Sequence, residues 1–257
     1  MAKIIAVANQ KGGVGKTTTA VNLTAALHLM GKRVLLADCD PQGNASSGMG
    51  VPKSRRPNTY DMLINAVPAA DCVASTEYGD VIPASKELAA ASVELINAER
   101  REFVLKDALA TLYSEYDYIL VDCPPSLELL TVNALSAADS VLIPMQCEYY
   151  ALEGIADLMT SIKMCARRLN RRLNVEGIVL TMYDARANLT QQVANELRKY
   201  LADKVYTTVI PRSVRLSEAP SHGVPGVIYD RVNKGSKAYL ALAAEFLEKN
   251  EGRPQSA

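Results

Sequence analysis

Residues 9–18 read Asn-Gln-Lys-Gly-Gly-Val-Gly-Lys-Thr-Thr, and no other stretch restricts so tightly what the chain can fold into. A glycine-rich loop that closes on phosphate has to leave a buried strand and enter a helix, because its own N–H groups and the helix N-terminal amides together make the anion site. The flanks have that order. Lys3-Ile-Ile-Ala-Val-Ala8 is a short apolar run suited to a fully buried parallel strand, and Thr18 to Met30 repeats apolar residues at helical spacing until Gly31 stops it.

The loop departs from the pattern G-x-x-x-x-G-K-[ST] at its first position, where Gln10 replaces glycine. Gly12, Gly13 and Gly15 keep it free of Cβ atoms around Val14, Lys16 is the phosphate lysine, and the Thr17 hydroxyl, ahead of Thr18, is placed to ligate Mg²⁺. The second lysine, Lys11, lies at the outer rim with its own backbone between it and the phosphates. Its natural target is a nucleotide held by another molecule, so Lys11 argues for a face-to-face dimer.

The chain has 257 residues, of which 49% are hydrophobic and 22% charged, enough for one large core. One domain is expected over 1–257, with a polar tail from about 249 to 257 after a last helix over Ser236–Glu248. Lysine plus arginine and aspartate plus glutamate balance at 28 each, so a nucleic-acid partner has to meet a local basic patch. The cysteines, at 39, 72, 123, 147 and 165, have no metal-ligand spacing and read as small buried hydrophobes in a reducing cytosol. No signal-peptide pattern opens the chain and no run approaches the roughly 18 apolar residues that span a bilayer, so no membrane partner is expected.

Strand-like runs recur at 3–8, 33–38, 117–122, 139–144, 175–182 and 205–210, mostly with helical segments between them. This alternation predicts an α/β fold, a mostly parallel twisted sheet with helices on both faces. Residues 43–84 interrupt it with a short helix near Tyr60–Asn65 and an added strand at Val81-Ile-Pro83. Ligands of such sheets sit beyond the carboxyl ends of the strands, and charged side chains do follow the apolar runs there. Arg33-Val-Leu-Leu-Ala-Asp-Cys-Asp40 ends in Asp38 and Asp40 at i and i+2, and Tyr118-Ile-Leu-Val-Asp122 ends in one aspartate before Cys-Pro-Pro. Asp122 is the candidate Mg²⁺-side carboxylate, acting through a coordinated water. Asp40 is the candidate for orienting the attacking water, with Asp38 nearer the metal and Lys16.

Lys11-Gly-Gly-Val-Gly-Lys-Thr-Thr18, Asp38-Cys-Asp-Pro-Gln-Gly-Asn44, Asp122-Cys-Pro-Pro125, Gln146-Cys-Glu-Tyr-Tyr-Ala-Leu-Glu-Gly154 and Pro211-Arg-Ser-Val-Arg-Leu-Ser-Glu-Ala-Pro220 resemble the deviant Walker-A ATPases of the ParA/Soj type, from about residue 2 to residue 248. The resemblance implies a P-loop ATPase that uses ATP and Mg²⁺ and forms an ATP-dependent sandwich homodimer. In it Lys11 contacts the other subunit's phosphates and Asp40 activates water. It further implies non-specific DNA binding by the ATP-bound dimer, through Arg186 and Arg215, and stimulation by a ParB/Spo0J-type partner. Met182, Pro211, Arg212 and Ser213 fall where the family encloses adenine, although Ser213 departs from the asparagine of that pattern. A cytoplasmic protein, nucleoid-associated when ATP-bound, would follow.

Arg167, Arg168, Arg171 and Arg172 form a further basic cluster on a helix, read as a solvated face ahead of a DNA contact. Two other classes share the phosphate loop. A membrane-cycling spatial regulator resembling MinD would need a lipid-binding C-terminal helix, which this tail does not resemble. A metabolic enzyme on the same scaffold is the third reading.

Overall fold

In the computed structural model, which describes residues 1–252, seven strands are β1 Lys3–Val7, β2 Val34–Asp38, β3 Ala74–Thr76, β4 Gly79–Ile82, β5 Tyr118–Asp122, β6 Ser140–Gln146 and β7 Asn174–Thr181. They form one sheet in the order β3-β4-β2-β5-β1-β6-β7. Every pairing is parallel except the edge pair β3–β4. The mostly parallel sheet expected from the sequence is therefore the one observed.

The helices are α1 Lys16–Leu29, α2 Asn44–Gly48, α3 Thr59–Ile64, α4 Ala69–Cys72, α5 Leu88–Glu94, α6 Val104–Leu109, α7 Leu129–Ala137, α8 Ala151–Arg168, α9 Asn188–Leu201, α10 Val214–Glu218, α11 Gly226–Tyr229 and α12 Lys234–Glu251. Strand side chains alternate between two cores because successive Cβ atoms point to opposite faces. Ile4 and Ala6 of β1 join Ile119 and Val121 of β5 in one core, where Leu130 and Ala134 of α7 and Leu158 of α8 cover them. Ile5 and Val7 join Leu120 in the other, beneath Leu23 of α1 and Tyr239, Leu242 and Phe246 of α12. Helices thus cover both faces.

Two sequence expectations change. The run 205–210 is not a strand: Tyr206 N–H and Ile210 N–H reach the carbonyls of Ile178 and Leu180, at 2.9 and 2.8 Å. Between them the N–H groups of Thr207 and Thr208 turn to the Glu245 carboxylate on α12, at 2.7 and 2.9 Å, and the ladder is broken. The added strand near Val81 exists as β4, but it has an antiparallel neighbour, β3, that the sequence reading lacks. The short helix near Tyr60 is α3, started by a capping box between Asn58 and Asp61. The last helix continues to Glu251, so the expected tail begins inside it, and residues 253–257 lie outside the described residues.

The two ends of the parallel strands differ in character. At the starting end, the floor, Lys3 pairs with Glu176 at 2.6 Å, Lys32 with Glu251 at 2.7 Å and Arg33 with Asp117 at 2.8 Å. Tyr118 donates to Glu251 at 2.6 Å, and Asn250 donates to Glu176 at 2.8 Å. The carboxyl end carries the phosphate loop.

Candidate functional site

The loop between β1 and α1 is held from three sides. Asn9 accepts the Lys11 N–H at 3.0 Å and donates to the Pro144 carbonyl beyond the middle of β6 at 2.8 Å. Thr181, the last residue of β7, donates its hydroxyl to the Val14 carbonyl at 2.7 Å. Gly13 and Gly15 have φ of 74° and 87°, the left-handed region where a side chain would strain the turn. Gly15 is also the N-cap of α1, and no side chain caps the helix's first N–H groups, so the loop end is an open anion site. Gln10, Lys11, Gly12 and Gly13 are exposed on the rim, while Val14 and Lys16 are buried and Thr17 and Thr18 half-buried.

Lys16 donates across the loop to the Lys11 carbonyl at 3.1 Å. Burial lowers its pKa, opposed by the fields of Asp122, Cys123 and Asp40. Asp122 accepts the Thr17 hydroxyl on Oδ2 at 2.8 Å, whereas its Oδ1 is buried without a hydrogen-bond partner. An orphaned carboxylate oxygen beside a threonine hydroxyl is the hard oxygen set that suits Mg²⁺, so the residues present fit that ion. Burial first, then repulsion from Asp38, holds Asp122 well above the ordinary aspartate range.

Asp38 and Asp122 end neighbouring strands in register with one another. Asp38 is fully buried, and its Oδ2 accepts both the N–H and the hydroxyl of Ser46, at 2.8 and 2.6 Å. Its Oδ1 accepts the Asp40 N–H at 3.1 Å. Burial pushes it up to about 6 despite those bonds. The sequence reading put Asp38 nearer Lys16. Here Asp122 and Asp40 supply the carboxylate field on that ammonium, and Asp38 anchors the turn that carries Asp40. The turn is tightened further where Asp40 accepts the Gln42 N–H at 2.9 Å.

Lys11 is half-exposed and ion-paired with Glu148 at the start of the β6–α8 connection. Tyr149 and Tyr150 follow, 74% and 71% exposed and packed edge to face against each other. Glu148 is a site residue that the sequence reading quoted in a motif but gave no role, since only the fold brings it to Lys11.

Beside Gly15 and Thr18, a narrow cavity of about 110 Å³ gathers Met182, Pro211, Arg212 and Ser213 with Thr181, Leu216 and Tyr239. The Ser213 hydroxyl donates to Asn233 at 2.8 Å. The four expected residues therefore meet at one wall of the loop. Tyr239, from α12, had no sequence signal beyond its helical periodicity.

Arg186 and Arg215 are exposed, and each has a carboxylate neighbour: Asp184 at 3.2 Å for Arg186, Glu218 at 2.9 Å and Asp230 at 3.5 Å for Arg215. Arg186 shares an open cleft of about 940 Å³ with Arg212, Lys234 and Lys237. The two lysines begin α12 in a Lys-Gly-Ser-Lys run that the sequence reading passed over. Among the described residues no helix is long and apolar enough to cross a membrane.

A family model described as an AAA domain matches residues 2–175. The sporulation initiation inhibitor protein Soj of Bacillus subtilis is 56% identical over 248 residues, covering 95% of this chain and 98% of that protein. The chromosome partitioning protein ParA of Myxococcus xanthus is 52% identical over 251 residues, with 96% and 89% covered. Among solved structures, cobyrinic acid a,c-diamide synthase from Mycobacterium smegmatis with bound ADP and magnesium superposes with a TM-score of 0.84 at 34% identity, covering 98% of this chain and 97% of that one.

Proposed function

The chain belongs to the ParA and Soj family of chromosome-partitioning ATPases, and from that premise we propose that it is an ATP-dependent DNA-partitioning switch. ATP joins two copies face to face, the pair binds DNA without regard to sequence, and slow hydrolysis, stimulated by a ParB-type partner, releases it. The observation that carries this reading is the division of labour between two lysines on one loop. Lys16 is buried against the loop and beside Asp122, whereas Lys11 stands on the exposed rim and is held by Glu148, which supports its turning to a second molecule's phosphates.

In this reading the N–H groups from Gly12 to Thr18 and the Lys16 ammonium hold the phosphates. Thr17 and Asp122 would hold Mg²⁺, with Asp38 behind them. The ion would neutralise phosphate charge and fix the geometry of the oxygens. Asp40 orients the attacking water, and the turn anchored on Asp38 and Ser46 keeps it in place. Met182 and the Pro211–Ser213 segment enclose the base. With Asp40 alone positioning water and no partner supplying further transition-state charge, unaided turnover is slow.

DNA binding follows from counting phosphates. Each neutralised phosphate contributes about −0.9 to the log–log salt slope, so a single copy, with one set of cations, binds more weakly than a joined pair. Joining two copies doubles the number of cations that face DNA and makes nucleotide the switch. The decisive experiment is size-exclusion mobility with and without ATP, followed by DNA retention under the same conditions. A shift to dimer and salt-sensitive DNA binding with ATP alone are expected. Equal DNA binding without nucleotide, or binding indifferent to salt, defeats the proposal.

A further inference from the structure

Arg167 and Arg168 end α8, Arg171 and Arg172 follow in the turn after it, and all four are exposed. Asn170, between the two arginine pairs, is buried and donates to the carbonyls of Leu135 and Ala138, at 3.0 and 2.6 Å, while accepting the Arg172 N–H at 3.3 Å. Leu169 and Asn170 both return N–H bonds to Cys165, at 2.8 and 3.1 Å, which closes the end of α8. A buried polar side chain bonded on both its ends fixes the backbone, so the four guanidiniums leave a set platform.

Their charge is unspent. Arg33, Arg56, Arg100, Arg101, Arg186 and Arg215 each face a carboxylate within 3.5 Å. Among the described residues, none of the four arginines at 167–172 has such an ion pair. The acids near the floor of the sheet are already engaged: Asp139 accepts the Ile4 N–H at 2.9 Å, and Glu176 accepts from Lys3 and Ser140, at 2.6 and 2.5 Å. Lys204 adds a fifth cation by reaching the Val175 carbonyl at 3.3 Å, next to the start of β7. Arg167 and Arg168 do offset the negative end of the α8 dipole, but Arg171 and Arg172 lie past the helix.

We propose that this platform is a second duplex-DNA contact, at the opposite pole of the molecule from the phosphate loop, and that the ATP-joined pair bridges two DNA segments. The inference rests on the partitioning-switch reading above. α8 begins three residues after Glu148, the partner of Lys11, and its 18 residues carry the chain about 27 Å to the floor of the sheet. Two copies joined at their phosphate loops turn their floors outward, roughly 50 Å or more apart by the same rise. Duplex DNA is stiff over about 500 Å, so one segment does not bend around to both poles, and the second pole is left for another duplex.

Duplex backbone fits the platform better than other polyanions. A lipid surface calls for large apolar side chains beside the cations, and Met164 is the only exposed large hydrophobic in the segment from Lys163 to Asn174. Single-stranded nucleic acid is bound by stacking, and this segment contains no aromatic residue. Four fork-shaped guanidiniums suit phosphate oxygens without reading bases.

The test uses the full chain with ATP and Mg²⁺, one duplex tethered to beads and a second, labelled duplex free. Wild type is expected to capture the labelled duplex. The variant R167A/R168A/R171A/R172A is expected to dimerise, hydrolyse ATP and hold a single duplex, but to lose bridging at least tenfold, with the salt slope shallower by about 2 to 4. The four Arg→Lys substitutions should restore bridging. Unchanged bridging by the alanine variant overturns the inference, as does an equal loss in the lysine variant, which keeps the positive charge. Capture of wild type, but not the alanine variant, by phosphatidylserine vesicles without bridging also overturns it. A wild type that retains one duplex but never bridges defeats this inference alone, whereas one that retains no DNA with ATP defeats the switch reading as well.

Discussion

The Lys11 ammonium is paired with the carboxylate of Glu148 in its own chain, 137 residues away. Both side chains are about half exposed, so the pair contributes at most about 1 kcal/mol. Reaching a second molecule's phosphates means leaving Glu148. Glu148→Gln should therefore lower the ATP concentration needed for dimerisation, by up to about fivefold at low salt, with the difference fading as salt screens the pair. Sedimentation velocity across an ATP titration measures it. Lys11→Ala should keep nucleotide binding and lose the dimer, and a normal ATP-induced dimer from that variant would remove the trans contact from the mechanism.

Asp40→Ala should bind ATP and dimerise, yet hydrolyse ATP on the order of a hundredfold more slowly, the usual contribution of a positioned base. Lys16→Ala should fail one step earlier, at productive binding. Phosphate release and nucleotide-binding titrations on the two variants separate these failures. Normal turnover by the Asp40 variant would assign water orientation to another residue.

Stability of the nucleotide-free, Mg²⁺-free chain should carry the mark of Asp38. Its carboxyl is raised from 3.8 to about 6 by burial, so between those values the folded chain keeps a proton that the unfolded chain has released. This contribution is fully present below about pH 4 and is lost as pH rises through about 6. Relative to Asp38→Asn, wild type should lose on the order of a few kcal/mol across that interval and change little above it. Urea unfolding of both proteins at closely spaced pH values is the measurement, and parallel pH curves would contradict the burial argument.

Arg186→Ala and Arg215→Ala should leave ATP-driven dimerisation intact and weaken DNA retention. Each should make the salt slope shallower by about 0.9 for every DNA phosphate it no longer neutralises. Filter binding at several salt concentrations reads this directly. If neither slope moves, the contact belongs to Lys234, Lys237 and Arg212 in the neighbouring cleft.

The β1–loop–α1 unit was legible because phosphate binding demands that order of elements and those glycines. Asp38, Asp40 and Asp122 stood out because ligands of such sheets sit beyond the carboxyl ends of the strands, where these carboxylates follow apolar runs. The Glu245 carboxylate that interrupts the 205–210 run was not, since nothing local distinguishes a helical glutamate that will bind Thr207 and Thr208 from one that faces water. Ser46 was missed for the same reason: its two bonds to Asp38 span eight residues and exist only once α2 packs under β2. Pairing across 137 residues, as between Lys11 and Glu148, leaves no periodic trace in a sequence.

Glu176 and Glu251 fasten β7 and the last turn of α12 to the beginnings of β1, β2 and β5, on the side of the sheet away from the phosphate loop. The ion pairs along that rim are thus separate from the charges assigned to hydrolysis. Evolution can exchange lysine–glutamate partners along that rim to suit a hotter or saltier cell while the hydrolytic corner stays unaltered.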